Sequence, residues 1–335
     1  MLIDVHTHLC PVDFPDSPSA AVRERWPCMQ CNAPGTGTIM IGDKPFRQLD
    51  SRSWDAARRL DDMARDRVDM HVLSPMPELL SYWFEPDAAT VMCDHVNGRI
   101  AEIVARDRAH FRGLGMVPLQ DPKRAAEMLR RCRDEFGLSG VEIGSNINGA
   151  MIGDRKFDPF YEAANDLGMA IFVHALHPVA TKAINAGQPF TAFAGFPIDT
   201  AMAVASLILE GTIERYPNLR IGFSHGGGAI GSILGRLDVG WNFTKGFGGT
   251  VGQLPSSQAH KFFCDSNVYD PVYLRHLATS SFAGRVFLGT DYPYDIMQRD
   301  PNAYLLSSGL TGDALQDLKS GAAGLFLGES FAASG

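Results

Sequence analysis

Short apolar runs recur along the chain, each followed by a stretch with helical spacing. They read LIDVHTHL, DMHVLSPM, FRGLGMVPL, SGVEIGSN, AIFVHAL, RIGFSH, KFFCDSNV and RVFLGTD, eight in all. Amphipathic segments such as DPKRAAEMLRRCRDEFG and DTAMAVASLILEGTIERYPNL lie between them. Near-continuous apolar strands alternating with helices predict a parallel sheet covered by helices. Eight such units predict a closed α/β barrel of the (β/α)8, or TIM, type. A doubly wound open sheet is the structural alternative, and no G-x-G-x-x-G follows the first run to support it.

One stretch breaks the rhythm. Residues 10–54 are rich in Pro, Gly, Ser and Cys and show no helical period before WDAARRLDDMARDRVD, so they read as a long insertion after the first strand. The segment GTGTIMIGDKPFRQLD within it suits a small hairpin. Loops leaving the C-terminal ends of barrel strands build active sites, which gives this insertion a place at the site. A second irregular stretch, HPVATKAINAGQPFTAFAGFP, follows the fifth run and belongs to the same face. No internal repeat is present, and the tail GESFAASG is expected to fray.

The length, 335 residues, exceeds the usual single domain, but a barrel with insertions accommodates residues 1–335 as one. A net charge of -8 without a Lys/Arg run argues against nucleic acid as a partner. No apolar run is expected to reach the length needed to cross a bilayer. The first strand begins at residue 2 without a basic and hydrophobic leader, so a cytoplasmic protein is expected. Six cysteines form no disulfide framework. Cys28 and Cys31 make a lone CMQC pair with no second pair and no strand leading into a helix, so free thiols are expected.

The polar residues at strand ends change the picture most. His6 and His8 lie one residue apart in the first run, and alternate side chains of a strand point the same way. His174 ends the fifth run, His225 the sixth and Asp291 the eighth. Any one of these histidines alone reads as a satisfied core residue. Five polar residues at matching places in an eight-strand pattern favour a metal site instead. Three imidazoles and a carboxylate suit zinc or a similar divalent ion.

The motifs DVHTH, FVHA, SHGGG and GTDYP together resemble the amidohydrolase superfamily, and more narrowly its decarboxylase branch, over essentially the whole chain. That branch includes aminocarboxymuconate semialdehyde decarboxylase and related aromatic-acid decarboxylases. GTGTIMIGDKPFR and SHGGGAIGSILGRLD sharpen the resemblance toward the aminocarboxymuconate type. It implies one divalent ion per chain, Zn2+ with Mn2+ as the alternative, held by His6, His8, His174 and Asp291. It implies His225 as the catalytic acid/base, with Asp291 also able to shuttle a proton. Arg47 and Arg236 match arginines that bind substrate carboxylates, the second supplied by a neighbouring subunit, which implies a homodimer. Eight residues separate Gly228 from Arg236, about 12 Å of helical rise, which suits a neighbour's barrel mouth better than its own. The small-molecule substrate is then a ring-cleavage semialdehyde or an aromatic carboxylic acid.

Three local features qualify the resemblance. The fourth run carries Glu142 and no lysine to be carboxylated, which favours one metal over two and leaves Glu142 as an added ligand or a buried acid behind the ligands. The fifth run continues ALHPV, where the family type carries a tryptophan and an aspartate nearby, so His177 touches substrate, replaces a contact of the family type or lies in a loop. Finally, the same ligands serve a metal-dependent hydrolase acting on an amide, lactone or ring carbon. Only the two arginine segments separate that activity from decarboxylation.

Overall fold

Each of the eight apolar runs forms a strand, and the strands make one parallel sheet that curls into a near-closed barrel. The structure, a computed structural model, describes residues 1–183 and 187–331. The first run is β1 (Ile3–Leu9). The insertion follows as an antiparallel sheet of β2 (Pro27–Ala33), β3 (Thr36–Ile41) and β4 (Lys44–Asp50). Next come β5 (Met70–Pro75), β6 (Phe111–Met116) and β7 (Gly140–Gly144). A two-residue hairpin, β8 (Asn146–Ile147) with β9 (Ala150–Met151), precedes β10 (Ala170–His174). The last three are β11 (Arg220–Phe223), β12 (Phe263–Asp265) and β13 (Val286–Phe287). The barrel order is β1-β5-β6-β7-β10-β11-β12-β13.

Closure runs between β1 and the segment after β13. Val5 N donates to Leu288 O at 2.9 Å, Asp291 N to His6 O at 2.9 Å, and His8 N to Tyr292 O at 2.7 Å. Asp4 clamps the same seam, accepting from Thr290 N at 3.1 Å and from the Thr290 hydroxyl. Burial pushes the Asp4 carboxyl up to about 7 despite these donors. The contacts that close the barrel therefore also bring Asp291 to His6 and His8.

The strand β1 does not alternate evenly. Asp4 pairs with His71 but Thr7 with Leu73, so the register slips by one residue between them. Ile3 and Val5 pack with Phe172 and Phe287 in the barrel's inner core. The ring of His6 lies 5.0 Å from the same Phe172. The slip lets odd-numbered apolar residues and even-numbered histidines serve one interior.

Helices cover the outside, and several start on legible signals. Asp121 and Asp270 each precede a proline and accept backbone N–H groups of the first turn, at the starts of Pro122–Asp134 and Pro271–Thr279. The hairpin expected in the insertion is β3–β4, with β2 added as a third strand. Cys28 and Cys31 lie three apart on β2, and all six cysteines are free.

Two expectations need correction. The stretch after β10 is not irregular: it contains Val179–Ala183 and the first turns of a helix over Thr191–Leu209, while residues 184–186 lie outside the described residues. That helix, 19 residues, is long and apolar enough by length and composition to cross a membrane, against the reading that no run approaches this. Its Ala201, Ala203, Val204, Leu207 and Ile208 are buried in the core, and so is the charged Asp199. The final residues of the expected frayed tail, 332–335, also lie outside the described residues.

Candidate metal centre and cleft

His6, His8, His174 and Asp291 meet at the C-terminal mouth of the barrel, with one donor atom from each within 4.8 Å of all the others. The Nε2 atoms of His6 and His8 are 3.0 Å apart, and Asp291 Oδ1 lies 3.4 Å and 3.2 Å from them. The opposite ring nitrogens fix the tautomers. His8 Nδ1 lies 3.1 Å from Pro75 O and His174 Nδ1 2.9 Å from Ala175 O. A carbonyl oxygen only accepts, so both Nδ1 atoms carry the proton. His6 Nδ1 donates to Asp265 Oδ2 at 2.6 Å.

Three Nε2 lone pairs and a carboxylate oxygen therefore converge in a buried space. His174 Nε2 and Asp291 Oδ1 have no hydrogen-bond partner there. Burial, reinforced by the neighbouring imidazoles, holds His174 well below the usual histidine range and so neutral. Burial raises the Asp291 carboxyl, but the imidazoles around it overcome this and hold it well below the usual carboxylate range. Lone pairs crowded this closely repel unless a cation sits among them. The donor set fits one divalent ion with oriented imidazoles, and it is the one such group among the described residues.

Glu142 does not join the cluster. Its Oε2 lies 3.7 Å from His8 Nδ1, on the side of the ring away from the converging Nε2 atoms. Burial pushes it up to about 8.

His225 stands beside the four donors. Its Nε2 is 3.9 Å from Asp291 Oδ2, its Nδ1 is 3.2 Å from Ser224 Oγ, and its ring stacks on Phe196. The backbone there is left-handed at His225 (φ 56°) and at Gly226, Gly227 and Gly228. The glycines are required by close approach: a Cβ on Gly226 would lie 2.3 Å from Val268 Cγ1, and one on Gly228 2.0 Å from Pro197 O. His225 has no such freedom, and its left-handed backbone costs about 1–2 kcal/mol.

The centre opens into a cleft of about 1280 Å³, lined by Phe46, Arg47, His177, Phe193, His225 and Tyr294 among others. The insertion delivers Arg47 from β4. Its guanidinium pairs with Glu78 at 2.5 Å and lies 5.2 Å from the Tyr294 ring, which itself packs on His8. His177 lines the cleft with its ring 5.1 Å from that of Trp83. Arg236 is not brought in. It is exposed on the helix Ile230–Gly249 and is absent from the lining of its own chain's cleft.

Asp265 is the residue that sequence reasoning missed, although a carboxylate directly after the apolar FFC of KFFCDSNV carries the same signal as the other strand ends, and the structure buries it fully. Glu78, just after β5, was also missed; one acid in an ordinary loop carries no signal.

Residues 3–317 match the family model described as Amidohydrolase. A 2-amino-3-carboxymuconate-6-semialdehyde decarboxylase of Dictyostelium discoideum is 34% identical over 307 residues, spanning 91% of this chain and 85% of that one. The crystal structure of 5-carboxyvanillate decarboxylase from Sphingomonas paucimobilis is similar at a TM-score of 0.82 and 26% identity, covering 98% of this chain and 99% of that one. A dihydroxybenzoic acid decarboxylase from Polaromonas sp. JS666, solved with bound manganese and the inhibitor 2-nitroresorcinol, shares the fold at a TM-score of 0.75. Its identity is 19%, with 98% of this chain and 96% of that one covered.

Proposed function

The chain belongs to the amidohydrolase family, in its decarboxylase branch, and from that premise we propose a metal-dependent, non-oxidative decarboxylase of a ring-cleavage semialdehyde or aromatic carboxylic acid. The likeness to the Dictyostelium enzyme favours a substrate like 2-amino-3-carboxymuconate 6-semialdehyde. The observation that carries the reading is the four-donor cluster with His225 beside it, at the base of a cleft walled by aromatic rings and Arg47.

When bound there, a divalent ion supplies Lewis acidity toward a substrate oxygen. Zinc is the ion proposed, and the manganese in the Polaromonas relative makes Mn2+ the alternative that elemental analysis decides. Arg47 holds a substrate carboxylate by paired N–H donors, with Glu78 keeping its guanidinium in place. Phe46, Phe193 and Tyr294 give the cleft flat apolar walls suited to a conjugated ring or chain. His225 donates a proton to the carbon that bears the departing carboxylate. The C–C bond to that carboxylate then breaks, carbon dioxide leaves, and the electron pair restores the conjugation that protonation interrupted. Asp291, 3.9 Å from His225 Nε2, is placed to relay the proton. His177, its ring against that of Trp83, touches the substrate from the cleft wall.

The direct test incubates metal-loaded protein with ring-cleavage products and aromatic carboxylic acids while carbon dioxide is monitored. Stoichiometric carbon dioxide is expected. Hydrolysis without it overturns the reading in favour of a metal-dependent hydrolase.

The reading includes a homodimer in the cytoplasm, for which the six free thiols suit a reducing compartment. Arg236 shares one stripe of its helix with Val239 and Phe243, which are 69% and 88% exposed. An uncovered apolar stripe beside a cation absent from its own cleft supports a second copy as the occupant, with Arg236 reaching that copy's cleft. Mixing Arg236→Ala with His225→Ala after dissociation is expected to restore part of the activity, since a mixed dimer then holds one intact site. No recovery, or a fully active monomer by sedimentation, ends the idea.

A further inference from the structure

Asp265 closes β12 and accepts four hydrogen bonds while fully buried. Oδ2 takes His6 Nδ1 at 2.6 Å and the backbone N–H of His225 at 2.9 Å. Oδ1 takes the N–H groups of Gly226 at 2.8 Å and Asn267 at 3.0 Å. One carboxylate oxygen thus joins a side chain of the four-donor cluster to the main chain of the residue beside it. The approach is built into the fold. Gly289 lies between the two side chains, where an added Cβ would stand 2.6 Å from Asp265 Cβ and 2.7 Å from His6 Cβ. Any other residue there forces them apart.

We propose that Asp265 is a positioning residue that couples the metal cluster to the placement of His225, by holding His6 as the Nδ1–H tautomer and the left-handed turn at His225 and Gly226 through one carboxylate. Four donors satisfy the buried charge without a further cation, so the carboxylate stays seated whether or not the cluster is filled. Withdrawal of electron density from His6 Nε2 makes its Nδ1–H a stronger donor and tightens the bond to Oδ2. The same oxygen seats the His225 amide, whose φ of 56° relaxes without that acceptor. The role of His225 in this rests on the decarboxylase reading; the grip on His6 does not.

The substitution Asp265→Asn separates these roles, because an amide offers only one acceptor end. Either the His6 and His225 donors or the Gly226 and Asn267 donors then face an NH2 group. Zn2+ affinity, measured against a chelator with no substrate present, is expected to fall on the order of 10- to 100-fold. At saturating metal, kcat is expected to fall about 10-fold or more with KM unchanged, as for an interaction made only in the transition state. In a His225→Ala background the same substitution is expected to leave kcat at saturating metal where it was. An equal loss in both backgrounds marks a merely structural role and overturns the coupling. Unaltered zinc affinity overturns the grip on His6, whatever the reaction proves to be. Should the variant not fold, amide hydrogen exchange at His225 and Gly226 of the wild-type protein carries the test. It is expected to slow on Zn2+ addition, and unchanged exchange overturns the proposal.

Discussion

A His6→Ala/His8→Ala variant is expected to hold no stoichiometric divalent metal and to lose turnover by about three orders of magnitude or more. The size follows from the several kcal/mol that Lewis-acid stabilisation supplies to a transition state, at about 1.4 kcal/mol per factor of ten. Two of four converging donors disappear together, and His174 and Asp291 alone leave an incomplete set. The fold is expected to persist, because the seam runs through main-chain bonds at residues 5, 6 and 8 that alanine keeps. Elemental analysis of purified protein, read beside circular dichroism, checks both halves. Unaltered metal content in the double variant, or metal-free wild-type protein with full activity, would sink the assignment.

The barrel was legible because each strand buries both faces and so writes a continuous apolar run. Of the polar residues that interrupt those runs at one end, His6, His8, His174 and Asp291 converge in one cluster. The strand β2, Pro27–Ala33, was missed for the converse reason: it is largely exposed, and PCMQCNA shows neither a run nor an alternation. The helical pattern is legible from Asp199 onward, but the first turns of the helix over Thr191–Leu209 read as irregular because Gly195 and Pro197 punctuate them, yet the chain absorbs both in a π turn over Thr191–Gly195 and with a proline in the first turn of Phe196–Leu209. Spacing alone brought His6 and His8 together, although they share the interior with Ile3 and Val5 only through a register slip no pattern announces. Asp265 carries the same kind of signal as the other strand ends, and nothing in the sequence separates a carboxylate that ligates a metal from one that hydrogen-bonds a ligand's far nitrogen.

The same geometry separates His225 from the ligands it adjoins, and that separation is the second large effect. His225→Ala is expected to keep its metal and lose turnover on the order of 10²- to 10⁴-fold, the range for removal of a general acid or base. Its Nε2 approaches Asp291 Oδ2 at 3.9 Å and is not one of the four mutually close donors, so the cluster remains whole without it. Alanine at a φ of 56° keeps the Cβ strain that histidine carries and loses the ring's packing on Phe196, which is a separate cause of lost activity. His225→Asn removes that ambiguity, since asparagine tolerates the left-handed region while offering no proton of suitable acidity. Both variants are therefore expected to lose turnover alike, with the alanine form the less stable of the two in thermal unfolding. A solvent isotope effect that is present in the wild-type protein and altered in the residual rate would accompany the loss of a proton donor. If either variant loses its metal, His225 is a ligand. If the asparagine form retains near-normal turnover, the proton comes from elsewhere in the cleft, and Asp291 becomes the group to replace next.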